Sequence, residues 1–117
     1  MGHGESYIRA IYSLTCCGEK STSTSEVAEH LDVSDASASE SIKKLEETDI
    51  VCRAAYQGIT LSPIGKEKGR RAEQKFNKLV GVFSELGLES PEAEASSVER
   101  HISKKAVEEL FDRTVKK

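Results

Sequence analysis

The chain has 117 residues, a formal charge of −3 and no apolar run near the roughly 18 residues a membrane helix needs. Such a length suits one compact domain, or a small domain with an appendage. The start, MGHGESYIRA, lacks an apolar signal core, so the expected location is cytoplasmic, with no membrane partner. Three cysteines, Cys16, Cys17 and Cys52, are an odd number without an export signal and are expected as reduced thiols. No nucleophile–base or phosphate-loop pattern is present, so an enzyme is not expected.

The first helix is predicted over residues 5–16. Tyr7, Ile8, Ile11, Tyr12 and Leu14 supply its apolar face at helical spacing. Gly18 is read as the residue that closes it, with Cys16 and Cys17 as small packing residues near the helix end. A vicinal thiol pair sensing redox state or a soft metal is the alternative for those two. The polar run 21–25 is a loop leading into the second helix, and Ser23 with Glu26 has the spacing of a capping box.

The second helix is predicted over Thr24 to Leu31, with Val27, Ala28 and Leu31 on one face. After the polar break Asp32-Val33-Ser34-Asp35 comes a third helix, Ala36 to Thr48, N-capped by Ser34. Ala38, Ile42 and Leu45 form its inward stripe. Two short helices joined by such a turn make a helix-turn-helix. Strands at 50–54 and 58–61 around Tyr56-Gln57-Gly58 add a two-stranded wing. The functional reading puts the third helix in the major groove of double-stranded DNA; the alternative is a helical core unit that touches no DNA.

On the DNA reading, Thr24 and Ser25 meet phosphate at a helix N-terminus. Ser37 and Ser39 bond base edges or phosphate, and Ala36 touches a thymine methyl. Glu40 accepts from a cytosine amino group or is simply solvated, while Lys43 and Lys44 contact phosphate. Ser34, Asp35 and Gln57 complete the candidate set. Charge opposes this reading. Residues 1–64 carry five basic against ten acidic side chains, a net of −5, where phosphate binding calls for a basic surface.

A helix of about six turns is predicted over 65–86 from the spacing of Ala72, Phe76, Leu79, Val80, Phe83 and Leu86. Lys66, Lys68, Arg70, Arg71, Lys75 and Lys78 stand against Glu67 and Glu73, a net of +4. That stretch is either a phosphate-facing patch or an ordinary solvated face. Ser90 and Pro91 start the next helix, 92–102, and Ser103 caps a last one bearing Ala106, Val107, Leu110 and Phe111. Together these helices have more apolar face than one chain covers, which points to a second copy.

The segments YIRAIY at 7–12, EVAEHLDVS at 26–34, IKKLE at 42–46 and YQGITLSPIGK at 56–66, with VERHIS at 98–103, resemble the diphtheria toxin repressor and manganese transport regulator family of iron- or manganese-dependent repressors. The resemblance runs over about residues 5–113. It implies a mainly α protein of the short type: a winged helix-turn-helix DNA-binding domain at 1–64, then a helical dimerisation domain at 65–117. Members act as homodimers on palindromic operators when a divalent metal locks the helices. The family's metal ligands fall on Ser6, Arg9, Phe76, Val80, Ser96, Glu99 and Arg100, and among these only Glu99 keeps a ligand. Iron or manganese needs several converging donors, so no metal cofactor is expected at this place. A guanidinium, from Arg9 or Arg100, either pairs with Glu99 instead, or both arginines point to solvent at a site that has decayed. The expected function is metal-indifferent transcriptional repression. Its rivals are a protein-interaction module of the same fold and a thiol-switched regulator.

Overall fold

Alternating small and branched apolar residues let three helices close on one core near the N-terminus. The computed structural model describes residues 3–53 and 58–116. The first helix, α1 (His3–Leu14), buries Tyr7, Ile8, Ala10 and Ile11. Helices α2 (Thr24–Leu31) and α3 (Asp35–Glu47) add Val27, Ala28, Ala38, Ile42 and Leu45. Strands β1 (Val51–Arg53) and β2 (Ile59–Leu61) pair antiparallel, with Val51 opposite Leu61 and Arg53 opposite Ile59. Their alternation puts Val51, Ile59 and Leu61 into the same core while Cys52 faces out. Thr22 adds a single antiparallel bridge to Ile59, so the loop before α2 lines the free edge of β2.

Beyond the sheet runs α4 (Pro63–Glu85), the long helix expected from the apolar spacing. Ser62 Oγ accepts from Gly65 N at 3.0 Å in its first turn. Gly65 has a structural reason to be glycine: a Cβ there would lie 2.1 Å from the carbonyl oxygen of Ile50. The chain divides into two compact units within α4, His3–Ala72 and the residues from Glu73 on. In the second unit α5 (Pro91–Val98) and α6 (Lys104–Phe111) pack on α4 residues around Leu79, Ala95 and Val107. A π-helical turn, Asp112–Lys116, closes it.

Five expectations are corrected. Helix α1 stops at Leu14, and Cys16 and Cys17 already have positive φ, 51° and 64°, ahead of Gly18 at 90°. Those two cysteines are exposed rather than packed. The fifth helix ends at Val98, because Glu99 to Ile102 turn toward the Ser103 cap; Ile102 still packs on the core and so extends the apolar pattern past the helix. Ser90 stands at an N-cap position with φ −128° and ψ 76°, outside the usual extended cap geometry, and its side chain makes no cap bond. The expected strand 50–54 is shorter, and Ala54 lies outside the described residues, as does the wing tip Tyr56-Gln57.

Candidate nucleic-acid interface

The helix-turn-helix is held by short-range bonds that its sequence encodes. Ser23 Oγ accepts from Glu26 N at 3.1 Å, and Glu26 Oε1 accepts from Ser23 N at 3.1 Å, a reciprocal capping box. Thr22 Oγ1 donates to the same carboxylate at 2.7 Å. These bonds, that of Thr22 first, lower the Glu26 pKa from its ordinary value. At the other end of α2, Asp32 takes a left-handed conformation, φ 58°, and Val33 N donates to Ala28 O at 3.0 Å. Ser34 then caps α3, its Oγ accepting from Ser37 N at 3.0 Å. Two caps and one left-handed residue fix the angle between the helices.

With Ala38, Ile42 and Leu45 buried, α3 exposes Asp35, Ala36, Ser37, Ser39, Glu40, Lys43 and Lys44, and Ser34 is exposed at its start. Eight of the candidate residues thus share one solvent-facing surface. Thr24, half-buried, and Ser25, exposed, lie apart in the first turn of α2. Gln57 lies outside the described residues. A cleft of about 670 Å3 opens beside α3, with Gly4 and Tyr7 of α1 on one wall and Val33, Ser37, Glu40 and Lys44 on the other. Sequence reasoning missed Gly4, Tyr7 and Val33 as neighbours of this surface. Only the 39% exposure of Val33, an apolar residue in a turn, marks it, and exposure is not visible in a sequence. At the base of the hairpin, Arg53 grips Glu46 through Nε at 2.8 Å and a second nitrogen at 3.0 Å, tying β1 to α3.

The basic stretch at the start of α4 is less free than its composition suggests. Glu67 accepts from Arg70 and from Arg71 Nε, the latter at 3.0 Å. The Arg70 bond is the main reason its pKa falls to about 2. Among the described residues exposed Lys66 and Lys68 have no such carboxylate partner, and with the one positive charge that Arg70 and Arg71 keep beyond Glu67 they make up what remains in the first unit's part of α4.

The positions where the resemblance puts metal ligands hold mostly non-ligands. Ser6 and Arg9 are half-buried on α1. In the second unit Phe76 and Val80 are half-buried, Ser96 is exposed and Glu99 is 2% exposed. Arg100 is exposed and its Nε donates to His101 Nε2 at 3.3 Å. A serine, two arginines and a phenylalanine do not fit a hard divalent ion. Among the described residues no three His, Cys, Asp or Glu side chains are grouped to hold one.

A capped two-helix turn followed by an antiparallel hairpin and backed by α1 defines a winged helix-turn-helix protein. Residues 1–59 match the family described as iron dependent repressor, N-terminal DNA binding domain. The chain belongs to that family, whose members are transcriptional repressors and not enzymes. It is 26% identical over 110 residues to the HTH-type transcriptional regulator MntR of Lysinibacillus sphaericus (strain C3-41), covering 92% of this chain and 78% of that relative. Against the solved structure of the manganese regulator SloR it has 25% identity and a TM-score of 0.72, over 97% of this chain and 53% of the other. The likeness extends to T. acidophilum IdeR, with TM-score 0.76, 17% identity and 93% and 52% coverage, which is a likeness of fold alone. The chain spans about half the length of those two solved proteins.

Proposed function

We propose that this protein is a cytoplasmic transcriptional repressor that binds a palindromic operator as a homodimer, without metal control at the family's site. The observation that carries the DNA reading is the exposed face of α3, with Ser37, Ser39, Glu40, Lys43 and Lys44 on the solvent side of a doubly capped helix-turn-helix. On this reading residues 1–64 bind DNA and 65–117 pair the chains. Thr24 and Ser25 hold phosphate at the start of α2. Ser34, Asp35, Ala36, Ser37, Ser39 and Glu40 lie along the groove, Lys43 and Lys44 meet the backbone, and Gln57 of the hairpin reaches the flanking DNA. Pairing is supported by Leu86, Leu88, Leu110 and Val115, which the second unit leaves outside its own core. Half-sites then fall about 34–36 Å apart, or a multiple of that. Metal indifference is supported by the donors themselves: of the family's ligand positions only Glu99 retains a carboxylate.

The test is binding to genomic fragments that include the protein's own promoter, with chelator and then with manganese or ferrous iron. Equal, salt-sensitive binding in both supports the reading, and binding only with metal removes the metal-indifferent part. Lys43→Ala is expected to weaken binding evenly across sequences and to lower the salt slope by about 1. The acidic balance of residues 1–64 favours a second reading, a protein-interaction surface. No DNA binding even at low salt would select it.

A further inference from the structure

The turn after α1 holds two adjacent exposed thiols in a fixed backbone. Cys16, Cys17 and Gly18 have three consecutive positive φ values, 51°, 64° and 90°. Left-handed conformation costs a non-glycine residue about 1–2 kcal/mol, so a pair of cysteines there needs something to hold it. Thr15, fully buried, does so: its Oγ1 donates to Ile11 O at 2.6 Å and accepts from Gly18 N at 3.0 Å. Cys17 N donates to Tyr12 O at 2.8 Å, and Lys20 N to Thr15 O at 2.9 Å. The far side is fastened to the sheet, where Thr60 Oγ1 donates to Lys20 O at 2.9 Å and to Gly18 O at 3.3 Å.

Adjacent Cα atoms lie about 3.8 Å apart, closer than the roughly 4.4–6.8 Å that a disulfide spans. Cys16 and Cys17 are therefore poorly placed to oxidise onto each other. Both being exposed and adjacent, they can close together on one large soft atom instead, because metal–sulfur bonds are longer than an S–S bond. Tetrahedral zinc needs more donors, and no group of three His, Cys, Asp or Glu is available among the described residues. Two thiolates suit a soft ion that accepts low coordination.

We propose that Cys16 and Cys17 form a two-thiolate site for a soft monovalent ion of the copper(I) class. Binding breaks two S–H bonds, forms two metal–sulfur bonds and releases two protons, with no change of oxidation state. The site differs from the family's hard-ion position in place and in donor chemistry, and it stands whether or not α3 reads DNA. Its bonds to Gly18 and Lys20 lead straight to β2, so an ion there stiffens the strand at the hairpin's base.

The experiment is anaerobic titration of the full chain with copper(I) against a chromophoric competitor, in a thiol-free reductant. Uptake of a single ion per chain, lost in Cys16→Ser and in Cys17→Ser but retained in Cys52→Ser, is expected. Circular dichroism of each variant shows that it is folded. Phenylarsine oxide, which condenses with two thiols and releases water, should protect the same two cysteines from alkylation. No uptake, uptake unchanged by either single variant, or equal loss in Cys52→Ser overturns the assignment.

Discussion

The two units of this chain treat their apolar residues differently. The first closes a core of helices and strands around Ile11, Val27, Ile42 and Ile59, each 1% exposed or less, and leaves Val33 39% and Ile64 56% exposed. The second buries Leu79, Ala95 and Val107, but leaves Leu86 62%, Leu88 42% and Leu110 41% exposed. Apolar side chains that a segment leaves uncovered are surface left for a partner, and the second unit leaves more of them. Reading the operator and pairing the chains are thus assigned, in our proposal, to the closed unit and the open unit.

Deleting volume from the closed core should give the largest effect. Ile11→Ala removes a side chain with no exposed surface from the junction of α1 with α2 and α3. It is expected to destabilise the protein by about 2–5 kcal/mol, read as a lower urea midpoint. A loss under about 1 kcal/mol would mean that this core rearranges around the gap.

A charge placed on the open unit tests the other half of the contrast. Leu110→Asp should leave the first unit's melting unchanged and shift sedimentation toward monomer, with a cost of about 1–2 kcal/mol to association, about five- to thirtyfold in the dimer Kd. Unchanged sedimentation would place the pairing surface elsewhere, because Leu110 would then be merely a solvated leucine.

Features legible in the sequence were those set by neighbours a few residues apart. Ser23 with Glu26, Ser34 with Ser37 N, and Ser103 with Ala106 N are local pairs, and each forms as spaced. The outward face of α3 followed from the inward spacing of Ala38, Ile42 and Leu45. Helix ends set by tertiary contacts were less legible. The end of α1 depends on Thr15 being buried and on Thr60, some forty residues away, donating to the turn's carbonyls; no local preference of cysteine announces a left-handed pair. The long helix was legible as a length and a net charge, yet the pairing within it was not, since a count of charges does not show that Glu67 holds both Arg70 and Arg71.

That last pair gives the smallest and most discriminating effect, because α4 runs through both units. Glu67 is an exposed carboxylate held at a pKa of about 2, below its ordinary 4.5, first by its bond to Arg70. A lowered carboxylate stabilises the fold above its unfolded pKa, and that contribution fades as pH falls from about 4.5 toward 2. Glu67→Gln should therefore lower stability slightly above pH about 4.5, by an amount that solvent and salt screening keep small, and leave it unchanged toward pH 2, so that the acid limb flattens in that window. The same change frees two guanidinium groups. If this part of α4 faces the operator, Glu67→Gln should tighten DNA binding and steepen its salt dependence, since each added phosphate contact raises the slope by nearly one. A flattened acid limb with an unaltered salt slope would leave the basic stretch as a solvated face and put the whole of DNA recognition on α2, α3 and the hairpin.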